Sequence, residues 1–225
     1  MKTAAALVVA CVAASAAQAD LIAYWNFNDN VTGTNNGDTY APTTGAGLLQ
    51  LVVPSQDQAG SNRGINSFAG TTNNAIAPDV AGQSLVIQGS AAESGTAPYP
   101  NNGATLTISF SMTNFEDVFL TFATQRTSTG FNSNQVAWST NGTNYTDLGG
   151  TYSPGTMFGI QTFDFSGLLD NAATAFIRIT VDGASGVSGN NRFDNFQLNA
   201  TLVPAPGALA LLGLGGLVAS RRRRA

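Results

Sequence analysis

The segment Thr105-Leu106-Thr107-Ile108-Ser109-Phe110-Ser111-Met112 alternates hydroxyl and apolar side chains without a break. Successive side chains of a β-strand point to opposite faces of a sheet, so this alternation places all the apolar residues on one face. An α-helix with the same sequence would spread them around its whole circumference. The segment therefore predicts a half-buried β-strand, with its apolar face against a core and its hydroxyl face towards solvent.

Strand signals recur on both sides of this segment. β-Branched and aromatic residues cluster in short runs, which are separated by the Gly, Asn, Asp and Pro residues that favour turns. No run has the helical apolar period of an amphipathic helix. The expected fold is therefore an all-β, antiparallel, jelly-roll-like β-sandwich. With the quoted segment, ten runs are predicted strands: Leu21–Phe27, Leu48–Val53, Leu85–Ile87, Thr105–Met112, Val118–Ala123, Gln135–Thr140, Thr143–Leu148, Met157–Phe165, Ala175–Val181 and Arg192–Leu202.

The connections between these strands differ in how clearly they are marked. Asn141-Gly142 separates two predicted strands, and this dipeptide is the strongest short signal for a β-hairpin. In contrast, residues 54–103 are rich in Gly, Asn, Ser and Ala and show little periodicity outside Leu85–Ile87. Because so long a loop is uncommon in a compact domain, we expect short strands plus one long loop there. The alternative is a set of long surface loops at one end of the sandwich, where binding sites often lie.

The body of the chain, residues 20–202, is acidic and poor in catalytic side chains. It holds all 13 Asp and Glu residues and only four arginines, a formal charge of −9, while the chain has no histidine and its one cysteine is Cys11. Such a charge repels nucleic-acid backbones. Nucleophile–histidine systems and histidine-ligated metals are excluded. Glu93, Glu116 and Asp117 are the carboxylates available for a glycosidase pair, but they lie in predicted turns, so we expect no enzymatic activity.

The N-terminus has the three parts of a secretory signal peptide. Lys2 supplies the positive charge, Ala4–Ala14 is the apolar run, and Ala17-Gln18-Ala19 fits a cleavage site before Asp20. A lipoprotein signal at Cys11 is the alternative, but the apolar run continues well past that residue. Residues 1–19 are therefore predicted to be a signal peptide, and residues 20–202 an exported domain.

The C-terminal residues 203–225 combine a proline hinge, an apolar segment and a block of arginines. Val203-Pro204-Ala205-Pro206 is followed by an uncharged stretch and then by Arg221-Arg222-Arg223-Arg224. Residues 207–220 would span roughly 21 Å as a helix, less than the hydrocarbon core of about 30 Å. Snorkelling arginines reduce this difference, and they favour the cytoplasmic side. We expect a short transmembrane helix that leaves the domain outside.

This tail resembles the PEP-CTERM sorting signal of exported bacterial proteins. The proline motif, apolar segment and terminal arginines occur in the same order, while Ala205 stands where the signature has glutamate. The resemblance implies an exosortase-type processing enzyme as a partner and export across the inner membrane of a bacterium. It also implies retention in that membrane through the C-terminal helix, followed by a place at the cell surface or in the extracellular matrix.

The second half of the domain resembles galactose-binding-like jelly-roll modules. The resemblance is carried by Trp138–Leu148, by Ile177-Arg178-Ile179, and by the closing segment Arg192–Leu198. It implies a sandwich whose first and last strands lie side by side.

The same resemblance implies a structural Ca²⁺ near the junction of the first and last strands. Carboxylate and amide oxygens are the ligands that Ca²⁺ prefers. On this basis Asp29, Asp38 and Asp194 would converge on the ion. Asn28 or Asn195 would assist them. The alternative is that Asp194 and Asn195 cap a turn and that Asp29 ends a strand.

Aromatic side chains are the other candidates for a binding site. Most aromatic residues of a sandwich belong to its core, and Trp25 and Trp138 lie in predicted strands. Tyr99, between two prolines, and Phe131, beside a glycine, lie in predicted loops. These two rings are therefore the better candidates for an exposed platform that stacks on sugars, and the alternative is that they too belong to the core.

Two functions fit these features. The first is a non-catalytic surface or matrix protein, anchored or released by its tail, in envelope or extracellular polysaccharide architecture. The alternative is a calcium-assisted carbohydrate-binding, lectin-like module. Exposed aromatic rings beside an acid–amide pocket would favour the second function, and buried rings would favour the first.

Overall fold

The computed structural model describes residues 19–28, 38–54, 63–90 and 99–203, and for residues 63–67 it describes the backbone only. Within these ranges the chain forms strands, turns and loops but no helix. The strands are β1 (Ala19–Trp25), β2 (Thr39–Tyr40), β3 (Thr44–Gly45), β4 (Leu48–Val52), β5 (Arg63–Ala69), β6 (Gln83–Gln88), β7 (Ala104–Phe110), β8 (Phe115–Arg126), β9 (Ser133–Ser139), β10 (Thr146–Asp147), β11 (Gly159–Asp164), β12 (Ala175–Asp182) and β13 (Asn190–Leu202).

One sheet is centred on β12 and β7 and has the strand order β10-β9-β12-β7-β4-β2; we call it the β7 sheet. All its described pairs are antiparallel, and Ile108 lies opposite Leu49 on one side and Ile177 on the other. These three side chains are fully buried. Thr105, Thr107 and Ser109 alternate with the buried residues and lie on the outer face.

The other sheet is built around the last strand and has the order β11-β8-β13-β1-β3; we call it the β13 sheet. β13 pairs with β8 along one edge, from Asn191 to Leu202. Its other edge pairs with β6 as far as Phe193 and with β1 from Phe196 onwards. The last strand therefore changes neighbour at Asp194 and Asn195, where its pairing with β8 is also irregular.

The core between the two sheets contains a cluster of aromatic rings. Phe122 lies at its centre, stacked on Phe196 with ring centroids 4.7 Å apart and on Phe163 at 5.8 Å. Phe193 lies 6.0 Å from the same ring. Phe122, Phe193 and Phe196 are completely buried. This cluster joins β8, β11 and β13 from their inner faces.

The expected β-sandwich is confirmed, and each predicted strand overlaps an observed one. The first and last strands lie side by side, as the jelly-roll resemblance implies, because β1 pairs with β13.

Residues 54–103, where the sequence shows little periodicity, contain one strand that the sequence did not predict. This strand, Arg63–Ala69, pairs with β6, and residues 70–82 form a loop. Among the described residues we find no helical membrane span. The predicted signal peptide (except Ala19) and membrane helix lie outside the described residues and stay predictions.

Candidate functional site

A polar junction fills the gap where β13 exchanges β6 for β1. Asp194 is 1 % exposed at this point. One of its carboxyl oxygens accepts the backbone N–H of Asn195 at 2.9 Å, and the other accepts that of Thr71 at 2.7 Å. Asn74 donates its amide to the carbonyl of Asn195 at 2.7 Å. Backbone groups that have no strand partner here are thus satisfied by side chains and by a loop.

The side chain of Asn195 fixes the loop of residues 70–82 to this junction. Its amide donates to the carbonyls of Thr71 at 2.7 Å and Asn73 at 2.9 Å. Its oxygen accepts the hydroxyl of Tyr24 at 2.9 Å, and that hydroxyl in turn accepts the N–H of Ile76 at 3.3 Å. Asn195 has a φ of 50°, a left-handed conformation that asparagine tolerates better than most residues. One side chain therefore ties β1, β13 and the loop together.

Burial gives the Asp194 carboxyl an unusual proton affinity. The pKa of this carboxyl is raised to about 7; desolvation is the largest cause, and the charge of Asp79 acts in the same direction. The hydrogen bonds from Thr71 and Asn195 oppose this rise. Asp79 itself accepts the amide of Asn26 at 3.0 Å. The carboxyl of Asp194 therefore titrates near neutral pH.

The raised pKa predicts a stability that falls with pH. The folded chain holds this proton more tightly than the unfolded chain, in which aspartate titrates near 3.8. The free energy of unfolding should therefore be highest below about pH 4, fall by roughly 4 kcal/mol up to about pH 7, and change little from this cause above it. Urea unfolding of the full-length chain across this range measures the effect. Asp194→Asn should flatten the slope, whereas Asp147→Asn, at an exposed carboxylate, should keep it. Parallel profiles for wild type and Asp194→Asn would contradict the assignment.

Only two of the three predicted calcium ligands, Asp38 and Asp194, lie among the described residues. Asp29 lies outside the described residues, and no group of three acidic side chains occurs within the ranges that are described. Both carboxyl oxygens of Asp194 accept protein N–H groups, and the charge that acts on Asp194 is that of Asp79. These contacts favour the alternative in which Asp194 and Asn195 satisfy a turn. The three-aspartate site stays a prediction.

The outer face of the β7 sheet is the second polar surface of the domain. The register aligns side chains of β4, β7 and β12 in rows, and the middle row runs from Gln50 through Thr107 to Arg178. Leu48 and Val52 flank Gln50 and are 41 % and 38 % exposed. The face thus combines amide, hydroxyl, guanidinium and apolar groups on a regular strand spacing. That combination suits a flat polar ligand with apolar patches, such as a sugar.

The connection between β9 and β10 folds back over this face. Asn141 holds the connection in shape, because its side-chain oxygen accepts the N–H groups of Thr143 and Asn144, each at 2.9 Å. Gly142 has a φ of 70°, and a Cβ atom there would lie 3.0 Å from the ring of Phe176. The predicted hairpin is therefore present, but its loop is wider than a two-residue turn because β10 is confined to Thr146–Asp147.

Tyr145 and Arg178 form the most distinctive contact on this face. The guanidinium carbon of Arg178 lies 3.8 Å from the centre of the Tyr145 ring, a cation–π arrangement. Both side chains are partly exposed. The stack places a rigid aromatic ring and a positive charge beside the row of Thr107 and Gln50. The sequence does not indicate that Tyr145 and Arg178 meet, although the alternation of Arg178 with Ile177 and Ile179 is typical of a strand residue on the polar face.

The predicted aromatic platform is not formed as expected. Phe131 is fully buried, so the expectation that its ring is exposed is wrong. Its backbone carbonyl accepts the amide of Asn191, and the ring belongs to the hydrophobic core. Tyr99 is half-buried and packs against the core. Trp25 is buried and Trp138 partly buried, as their place in strands predicted.

The residues predicted for processing lie at the two ends of the described domain. Ala19 and Asp20 begin β1 and are exposed, and Ala19 lies opposite Thr201 near the end of β13. Val203 is the last described residue. The other residues predicted for processing lie outside the described residues: Ala17, Pro204, Ala205, Pro206 and Arg221–Arg224.

Comparison with known proteins finds likeness in structure alone. No protein-family model matches the sequence, and no curated protein matches it. The structure is similar to the CBM22-1 xylan-binding domain of Xyn10C from Paenibacillus barcinonensis, with 11 % identity, 84 % of this chain and 100 % of that chain covered, and a TM-score of 0.44. It is also similar to a cleaved adhesin domain of Lys-gingipain from Porphyromonas gingivalis, with 11 % identity and a TM-score of 0.45. That match covers 81 % of this chain and 99 % of the adhesin domain. A family 35 carbohydrate binding module from an environmental isolate is similar at 15 % identity and a TM-score of 0.37. That match covers 65 % of this chain and 96 % of the module.

Proposed function

We propose that this protein is a non-catalytic carbohydrate-binding module that acts outside the cell. The observation that carries the proposal is the outer face of the β7 sheet, where the Tyr145–Arg178 stack lies beside Thr107 and Gln50. Sugars are bound by this combination, because an aromatic ring covers the apolar face of the pyranose and polar side chains bond its hydroxyls. The function is the lectin-like alternative from the sequence, with the site moved from Tyr99 and Phe131 to Tyr145.

The proposed setting is the envelope or extracellular polysaccharide of a bacterium. It rests on the signal peptide of residues 1–19 and on the tail of residues 203–225, with its sorting motif and terminal arginines. In this setting an exosortase-type enzyme processes the tail, or the tail keeps the module in the inner membrane. The module then links polysaccharide to the cell or to the matrix. A structural Ca²⁺ would belong to the fold and not to the proposed binding face.

Binding of the purified full-length chain to polysaccharides tests this function. Affinity electrophoresis through the extracellular polysaccharide of the producing cell, and through a panel of neutral and acidic polysaccharides, should retard the wild type. Tyr145→Ala should weaken retardation by roughly 10-fold, which corresponds to the loss of one aromatic contact of about 1.4 kcal/mol. Met157→Ala, at an exposed residue beside the β13 sheet, is the matched control and should bind as the wild type does. The proposal fails if no polysaccharide is bound, or if Tyr145→Ala binds unchanged.

A further inference from the structure

The guanidinium of Arg178 has no hydrogen-bonding partner among the described residues. Its Nε atom is buried without a partner, and it forms no salt bridge in the described part of the chain. Arg126 is the instructive contrast, because its guanidinium donates to the carbonyls of Pro154, Thr127 and Ser128. Arg192 on the β13 sheet resembles Arg178 in this respect, because its Nε atom is also buried without a partner. Arg178 differs from Arg192 in its place on the outer face of the β7 sheet, against Tyr145.

Keeping a partly desolvated guanidinium without acceptors is costly. A buried donor left unsatisfied destabilises a fold. The cation–π stack on Tyr145 offsets only part of that loss. The stack on Tyr145 fixes the plane of the guanidinium, and the strand register sets Arg178 opposite Thr107. Because Nε is buried, the terminal N–H groups are the ones that an acceptor from solvent can reach.

The charge of the site selects the kind of acceptor. Arg178 is one of only four arginines in a body of formal charge −9, and it lies in the middle of a face whose other row members, Gln50 and Thr107, are neutral. A carboxylate matches a guanidinium fork with two parallel hydrogen bonds. A neutral sugar hydroxyl would engage one donor and leave the charge unpaired.

We propose that Arg178 binds the carboxylate of a uronic acid in an acidic polysaccharide. The inference rests on the proposed function and deepens it by naming the class of glycan. The uronate ring lies beside Tyr145, and the neighbouring sugars run along the row of Thr107 and Gln50 towards the apolar Leu48 and Val52. Arg178 acts here as a direct ligand contact and not as a structural residue.

The rest of the face limits how densely the ligand can be charged. Ala137 lies between Arg178 and Asp147 in the strand register, so the exposed Asp147 is two strands away, about 10 Å from Arg178. A second carboxylate near Asp147 would be repelled, and so would a dense polyanion near the acidic body. The preferred ligand therefore carries one uronate between several neutral sugars.

Matched glycans and matched variants test this inference. The probes are deacylated gellan oligosaccharides, which carry one glucuronate in each repeating unit, the same oligosaccharides after carboxyl reduction to glucose, and polygalacturonate as the dense polyanion. Calorimetric titration of the full-length chain should give tighter binding to the acidic gellan than to the other two. Arg178→Gln should weaken that binding by roughly 10- to 100-fold, as expected for lost hydrogen bonds to a charged group. Arg178→Lys keeps the charge but not the fork and should be intermediate.

Arg192→Gln is the control for charge alone. Arg192 also stacks on a ring, that of Phe68 at 4.7 Å, but it belongs to the other sheet. This variant should bind like the wild type, and melting temperatures confirm that each variant is folded. If acidic and reduced gellan bind equally, or Arg178→Gln binds as the wild type does, the uronate inference is overturned while carbohydrate binding stands. Binding to none of the glycans tested here or in the polysaccharide panel overturns both.

Discussion

Asn195→Ala is expected to lower the free energy of unfolding by about 3 to 5 kcal/mol. The substitution removes three hydrogen bonds of a buried side chain and leaves the carbonyls of Thr71 and Asn73 and the hydroxyl of Tyr24 without their partner. Each such loss costs about 1 kcal/mol or more. Alanine also tolerates the left-handed conformation at this position less well than asparagine. Urea unfolding of the full-length chain measures the change.

Two further variants make this prediction specific. Asn199 lies on the same strand and has no side-chain hydrogen bond within the described ranges, so Asn199→Ala should cost at most about 0.5 kcal/mol. Tyr24→Phe removes one partner of Asn195, and the double variant should lose less than the sum of the single losses. Hydrogen exchange should quicken at residues 71–76 in Asn195→Ala. Additive losses together with unchanged exchange would show that the junction does not hold the loop.

Phe122→Ala is expected to cost about 4 kcal/mol. The ring is completely buried and contacts Phe163, Phe193 and Phe196, so its removal leaves a cavity between the sheets. Phenylalanine-to-alanine changes in cores cost about 3 to 5 kcal/mol, and lost ring pairs add to the effect. The measurement is the urea midpoint of the full-length chain, with an unchanged m-value taken as the sign of an intact two-state transition.

A conservative variant separates the cavity from general sensitivity at this position. Phe122→Leu fills most of the space and should cost about half as much or less. Equal losses for leucine and alanine would mean that ring stacking, and not volume, stabilises the core at this point. A loss below about 1 kcal/mol for alanine would show that the two sheets close over the cavity.

The sequence predicts the strands whose two faces differ most in polarity. β7 and β12 are clear because a core lies on one side and hydroxyl or charged groups lie on the other. β5 is hidden because Arg63–Ala69 contains Gly64, Asn66 and Ser67, which are poor in strand preference. This strand is specified by backbone pairing with β6, and pairing partners leave no periodic mark in the sequence.

The contacts of the candidate site could not be predicted from the sequence for a related reason. Tyr145 meets Arg178 only because the β9–β10 connection folds back over the sheet, and Asn195 meets Tyr24 across 171 positions of the chain. Such contacts follow from register and loop geometry. Phe131 shows the opposite error, since a ring between polar and glycine residues reads as exposed although the chain turns it inward into the core.

The double pairing of β13 also decides how the domain carries a mechanical load. Tension that enters the chain beyond Val203 runs lengthwise along β13, which has hydrogen-bonded neighbours on both edges. Those ladders are loaded in shear, so many bonds have to break together. A strand at the margin of a sheet would instead peel away one bond at a time. If the predicted tail tethers the domain and the proposed face binds polysaccharide, a pull between them would load these ladders in shear.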